Sequence, residues 1–224
     1  MKKIRIAIDG PAAAGKSTIA KKVAKKLGFT YIDTGAMYRA FTYYILQHQI
    51  DPTNEELCCK EIPHVDIELS SNGKVYCNGE DVTSQIREFD VARNVSYIAS
   101  YKDIRLHLVE LQRKIAKTDN VVMDGRDIGT YVLPHAEVKI FQVASVETRA
   151  IRRQKENMEK GMECTVEQME EELRRRDYID SHRSFAPLSK AEDAIELDTS
   201  DMTIEEVVNK VLQIVQEKVG EVHE

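Results

Sequence analysis

The segment Gly10-Pro11-Ala12-Ala13-Ala14-Gly15-Lys16-Ser17 satisfies every fixed position of G-x-x-x-x-G-K-[ST], and Thr18 follows it. With ordinary residue usage, a chance match in a chain of this length is on the order of one in a hundred. The context argues further against chance, because an apolar run, Ile4 to Ile8, leads into the loop and a helix-period segment leaves it. Gly10 and Gly15 carry no side chain where backbone N–H groups would curl around phosphate oxygens, and the helix N-terminus adds partial positive charge. Lys16 would reach the β- and γ-phosphates and follow the charge during transfer. Ser17 would offer a hard oxygen to Mg²⁺. Residues Gly10 to Thr18 are therefore the expected triphosphate-binding set.

Two further groups of residues bear on this chemistry. Asp124, at the end of Val121-Val-Met, is an acid emerging from a buried strand, suited to holding an ion's waters; Asp9 and Asp33 end two other strands and compete for that role. Ten of the fourteen arginines lie between Arg105 and Arg183, and arginine suits bidentate contact with phosphate or carboxylate. Solvated helix faces with i,i+4 partners account for about half of such a set. The net charge of -6 conceals an asymmetry: residues 192–224 hold ten acids and two bases, a net of -8, so residues 1–191 carry +2.

The elements that must position these residues alternate. Lys3 to Ile8, Phe29 to Ile32, Val121 to Met123, Val138 to Ala144 and Ala194 to Leu197 read as short buried strands. Helical periodicity covers Ser17 to Leu27, closed by Gly28, then Ala36 to Gln47, Phe89 to Ser100 and Asp103 to Thr118. Capping-box patterns at Thr53/Glu56, Thr165/Gln168 and Thr203/Glu206 open a short helix, a long charged helix to about Ser181, and a last one over Ile204 to Lys218. Val65 to Leu69, Lys74 to Cys77 and Glu80 to Thr83 alternate differently and are joined by Asn72-Gly73 and Asn78-Gly79, the hairpin signal. The fold class expected is α/β: a five-stranded parallel sheet flanked by helices, with a small antiparallel three-stranded insert. Ligands then bind beyond the carboxyl ends of the parallel strands.

A phosphate loop alone leaves GTPases, motors and small-molecule kinases open. Neither N-K-x-D nor D-x-x-G occurs, which argues against a GTPase, and motors need more chain than 224 residues. A kinase needs an acceptor pocket opposite the loop and cations that exclude water. The insert and the arginine-dense segment offer both.

Ile8-Asp-Gly-Pro11, Asp33-Thr-Gly-Ala-Met-Tyr-Arg39, Asp124-Gly-Arg-Asp-Ile-Gly-Thr130, Arg176-Asp-Tyr-Ile-Asp-Ser-His-Arg183 and Ala186-Pro-Leu188 resemble the bacterial cytidylate kinases, in order, over nearly the whole chain. The resemblance implies a single nucleoside-monophosphate-kinase domain over 1–224. It divides into a core (about 1–60, 103–150 and 184–224), a monophosphate-binding insert (about 61–102) and an arginine-bearing lid (about 151–183). It implies conversion of ATP and CMP or dCMP to ADP and CDP or dCDP, with Mg²⁺; another small acceptor is the alternative. Ser96 and Asp127 are implied on the cytosine amine, Arg105 on N3/O2, Arg39 with Thr34 and Gly35 on the acceptor phosphate, Arg176 and Asp180 on the ribose, and Arg183 toward that phosphate. Cytosine offers a donor at N4 and acceptors at N3 and O2, so this polarity is the one it requires. Arg126 is a further phosphate-side cation. Arg149 and Arg153 are assigned to the ATP side as catalytic cations beside Lys16, with Arg152 an equal competitor. Read without the resemblance, Ser96 and Arg39 are surface residues, and Arg176, Asp180 and Arg183 at i, i+4, i+7 form an intrahelical ion ladder.

The four cysteines include the adjacent pair Cys58-Cys59 and no C-x-x-C, which fits neither a disulfide framework nor a zinc site. Met1-Lys2-Lys3 runs into a strand without a signal-type apolar region. A cytoplasmic monomer is expected, acting on small nucleotides, with no nucleic-acid or membrane partner.

Overall fold

The computed structural model describes residues 3–70, 73–159 and 161–220. Strand β1 (Arg5–Asp9) runs through the phosphate loop into helix α1 (Lys16–Leu27), followed by β2 (Thr30–Asp33) and α2 (Thr34–Gln47). A short helix α3 (Glu55–Lys60) precedes three brief strands, β3 (Ile67–Leu69), β4 (Val75–Cys77) and β5 (Glu80–Asp81). Next come α4 (Phe89–Ile98), α5 (Lys102–Thr118), β6 (Val121–Gly125) and β7 (Val138–Val143). Helices α6 (Val146–Glu159) and α7 (Val166–His182), strand β8 (Ile195–Asp198) and helix α8 (Ile204–Val219) complete the order.

Strands β2-β6-β1-β7-β8 form one parallel sheet, and β3-β4-β5 form a separate antiparallel sheet, as expected. Alternation along β1 sends Ile6 and Ile8 to one face and Ala7 to the other. Ile6 and Ile8 pack with Ile19 and Val23 of α1 and Val208 and Val211 of α8, whereas Ala7 joins Met123 and Val109. Both faces are covered, which is why these strands read as continuous apolar runs. A further cluster joins Phe41 and Ile45 of α2 to Val75, Cys77 and Ile86, so the small sheet is anchored on α2.

The register fixes the site. Asp33 pairs with Asp124 and Asp9 with Gly125, so three acids finish neighbouring strands at one edge. β1 lies between β6 and β7, the point where the chain's course reverses and ligand crevices form in open α/β sheets. A Cβ at Gly10 would stand 2.0 Å from the Gln142 carbonyl oxygen, so only glycine fits where the loop leaves β1 against β7.

Thr165 and Thr203 cap α7 and α8 in complete capping boxes, as their patterns predict. Thr53 does not cap α3. Its N–H and hydroxyl donate to Asp51 at 2.9 and 2.8 Å, and Asn54 accepts from Leu57 N as the cap. The aspartate two residues upstream closes a local turn that outcompetes the box. Asn78 and Gly79 take the left-handed conformations of a hairpin turn (φ 50 and 80); Asn72 of the other hairpin signal lies outside the described residues.

Candidate active site

Gly15, left-handed at φ 89, caps α1, and Lys16 opens it with its side chain buried. The Lys16 ammonium donates to the Pro11 carbonyl at 2.7 Å, and Gln142 on β7 donates to the Ala14 carbonyl at 2.6 Å. Burial, then the nearby Arg126, lowers the Lys16 pKa. Ser17 donates to Asp124 at 2.8 Å, and Tyr31 donates to its other oxygen at 2.9 Å. Of the three strand-end acids, Asp124 is therefore the one beside the loop hydroxyl. Burial and the neighbouring Asp33 raise its pKa. Among the described residues no group of three or more His, Cys, Asp or Glu side chains is placed to hold a metal. One hydroxyl beside one carboxylate fits an ion such as Mg²⁺, which keeps several waters and takes other ligands from substrate phosphates.

Asp33 caps α2 at Ala36 N and accepts from Arg39 at 3.0 Å and Arg87 at 2.9 Å. Burial would raise its pKa, but these two arginines outweigh it and hold the carboxyl low. Thr34 donates to the Asp124 backbone carbonyl at 2.7 Å, fixing the turn that carries Gly35.

The Asp127 carboxylate is buried between Arg105, its closest partner, and Arg183 at 3.3 Å. Both guanidiniums also donate to the Ala99 carbonyl, at 2.9 and 3.4 Å, and Arg105 lies 5.3 Å from the Tyr38 ring centre. Asp180 on α7 accepts from Arg126 at 2.9 Å, and Arg126, Arg176 and Arg183 together hold its pKa down against burial. Arg176 is half-buried, and burial plus the field of Arg126 lowers it to about 10.

These groups line one cavity of about 660 Å³. Lys16, Ser17, Thr18, Thr34, Gly35, Arg39, Ser96, Arg105, Asp124, Arg126, Asp127, Arg153, Arg176, Asp180 and Arg183 all face it. The Nε atoms of Arg39, Arg105 and Arg176 are buried there without a hydrogen-bond partner, which is costly unless an anion or acceptor arrives. Ser96 and Arg105, whose convergence spacing alone does not establish, are brought together by the α4–α5 junction at Ala99.

Arg149 is the exception. It lies behind the phosphate loop and donates to the carbonyls of Ala12 and Ala144, both at 3.0 Å, and to Asp177 at 2.6 Å. It does not line the cavity, unlike Arg152 and Arg153, which both do. Four residues along a helix advance about 6 Å, enough for Arg149 to meet the Ala12 carbonyl while Arg153 lines the cavity. Gly10, Pro11 and Ala12 likewise shape the loop without lining the cavity.

Sequence reasoning missed several lining residues. Arg87 comes from a short 3₁₀ turn (Gln85–Arg87), Tyr38 adds its ring next to Arg105, and Met202, Ile204 and Val207 build an apolar wall that Arg152 shares with them in the same cavity. No motif marks Arg87; the signal for the wall was the Thr203 cap, which puts the α8 N-terminus at the sheet's carboxyl edge.

Asp9 does not line the cavity and accepts the N–H groups of Ile128 and Gly129 at 2.8 and 2.7 Å. Burial raises its pKa to about 7 from an ordinary 3.8. The folded state therefore binds a proton that the unfolded chain releases, and stability falls as pH rises from about 4 to about 7. In Asp9→Asn that fall is absent, so thermal midpoints of wild type and variant measured across pH 4–8 should converge or diverge within this window only. Parallel curves throughout would refute the shift.

The sequence profile of the cytidylate kinase family matches residues 6–217. The cytidylate kinase of Anoxybacillus flavithermus is 56% identical over 221 residues, 97% of this chain and 98% of the relative. That of Geobacillus sp. is 54% identical over 97% of this chain and 98% of its own length. That of Bacillus subtilis is 52% identical, again over 97% of this chain and 98% of its own. Among solved structures, a gluconokinase from Sinorhizobium meliloti superposes with a TM-score of 0.51 at 11% identity, over 97% of this chain and 95% of its own, a likeness of fold. Profile and relatives extend over nearly the whole chain, across the phosphate loop, the small antiparallel sheet and α7 alike, and on that ground the chain belongs to the cytidylate kinase family.

Proposed function

We propose that the chain transfers the γ-phosphoryl group of ATP to CMP or dCMP, giving ADP and CDP or dCDP. The observation that supports this is the buried ion pair of the Asp127 carboxylate with the Arg105 guanidinium, in the same cavity that Ser96 and Lys16 line. A carboxylate takes the N4 amine and a guanidinium takes N3 and O2. Uracil reverses both the N3 and the position-4 partners and leaves them unpaired, which is costly in a buried site.

In this reading the loop N–H groups and Lys16 hold the triphosphate, with adenine on the Met202, Ile204 and Val207 wall beside Arg152 and Arg153. Arg39, aligned by Asp33, holds the acceptor phosphate, with Arg87 at the same carboxylate. Arg126 and Arg183 stand near the transfer point, and Asp180 takes the ribose hydroxyls. Arg176, in the field of Arg126, Arg153 and Arg39, suits a phosphate better than the ribose expected for it. An acceptor phosphate oxygen attacks Pγ as the bond from Pγ to the β–γ bridging oxygen breaks, and ADP carries away that electron pair. The ionised monophosphate is already nucleophilic, so the residues align charges and exclude water rather than remove a proton.

Ser17, with Asp124 beside it, would hold Mg²⁺; bound there, the ion neutralises charge on the β- and γ-oxygens. The division into core, insert (61–102) and lid (151–183) belongs to the same reading, as does action by a cytoplasmic monomer without nucleic-acid partners. Four free cysteines support a reducing compartment, and among the described residues no helix is long and apolar enough to cross a membrane. Release of ADP measured with CMP, dCMP, UMP and AMP in turn tests the acceptor. CMP and dCMP should be turned over and UMP used at least about tenfold less well by kcat/KM. Preference for AMP or for a non-nucleotide acid would overturn the assignment.

A further inference from the structure

Asp177 sits on α7 between Arg176 and Asp180, yet it does not line the cavity those two residues face. One of its oxygens accepts the Ala12 backbone N–H at 3.0 Å, and the other accepts from Arg149 at 2.6 Å. The same Arg149 nitrogen donates to the Ala12 carbonyl at 3.0 Å, while its Nε donates to Ala144 at the end of β7. Both backbone polar groups of one loop residue are thus held by one ion pair. The Ala12 methyl is buried as well, in a small cluster with Ala150 of α6 and Met169 and Leu173 of α7. The next residue, Ala13, is left-handed at φ 56, a conformation that residues with a Cβ adopt reluctantly and that persists where the surroundings over-determine it.

We propose that Asp177, acting with Arg149, is a positioning residue for the phosphate donor. It locks the Ala12 peptides so that Ala13 stays left-handed and the loop presents its N–H groups in the shape a triphosphate requires. Because Asp177 belongs to the helix that carries Arg176 and Asp180, one rigid element sets the register of the donor loop against the acceptor groups. A carboxylate suits the task better than a neutral side chain: it accepts the N–H with one oxygen and offsets the buried Arg149 charge with the other. The proposal rests on assigning the loop to ATP and the cavity face of α7 to the acceptor.

Calorimetric titration of a non-hydrolysable ATP analogue alone, and of CMP alone, into wild type, Asp177→Ala and Asp177→Asn tests it, with amide NMR spectra of Ala12 and Ala13. Loss of this charge-assisted contact should weaken the analogue about tenfold or more, leave CMP within about twofold and shift both amide resonances. If Asp177→Ala does not fold, Asp177→Asn, which keeps the shape but not the charge, carries the same comparison. A lowered thermal midpoint with both affinities within about twofold of wild type would make Asp177 a structural ion pair only and overturn the proposal. Equal weakening of both nucleotides would also overturn it, because the whole helix would then have lost its place. Failure of the wild type to bind either nucleotide would instead overturn the underlying assignment, so the two failures are distinguishable.

Discussion

Lys16→Ala lowers kcat by about 10²–10³-fold or more, as removal of one preorganised charge at the transferring group does, and leaves the thermal midpoint unchanged or higher. The two halves of this expectation have one cause. Lys16 is buried at the helix N-terminus with Arg126 nearby, and both depress its pKa. A lowered lysine pKa means that the folded state binds this proton less tightly than the unfolded chain does, a cost that is full below the folded pKa and fades toward the unfolded one, so removing the amine removes that cost. The charge is maintained for the moment at which phosphoryl oxygens gain negative charge. Coupled ADP release and thermal melting on one sample decide it: turnover within about tenfold of wild type, or a collapsed melt, would sink the argument.

Asp127 yields the second large effect, and here the structure alters the choice of experiment. Its carboxylate is the shared partner of two buried guanidiniums, Arg105 and Arg183. Asp127→Ala strands both, and breaking a buried pair by removing one partner costs about 3–5 kcal/mol. That loss is comparable to the whole stability of a marginal domain, so alanine confounds recognition with folding. Asp127→Asn keeps the volume and one acceptor oxygen. It should raise KM for CMP by about 10–100-fold, the worth of a charge-assisted hydrogen bond, with KM for ATP within about twofold. Steady-state kinetics with each nucleotide varied in turn measures the split, and a matching rise in both constants would remove Asp127 from cytosine recognition.

Much of this site was legible in the residue order because its physics is local. The phosphate loop needs glycines, a lysine and a hydroxyl at fixed offsets between a strand and a helix, all within eight positions. The boxes at Thr165 and Thr203 were legible for the same reason, and Thr53 shows the limit: a competing acceptor two residues upstream, Asp51, was enough to move the cap to Asn54. The Arg149/Arg153 spacing shows another limit. An i,i+4 spacing predicts a shared helix face but not what packs against it: Arg149 bonds the Ala12 carbonyl and Asp177, whereas Arg153 lines the cavity.

The sequence by itself determined the strand and helix content, the phosphate loop, the alternation that buries both faces of the sheet, and through resemblance the acceptor class. Only the tertiary structure decided which of three strand-end acids meets Ser17, which arginines face the cavity, and that Asp33 and Asp127 each hold two cations. It alone showed Asp177 reaching back to Ala12. Those facts depend on strand order and register, with β6 inserted between β1 and β2 and Asp33 paired to Asp124. Order and register are set by long-range packing among elements up to 165 positions apart, as for the Ala12–Asp177 contact. Local spacing carries no record of which distant partner fills each place.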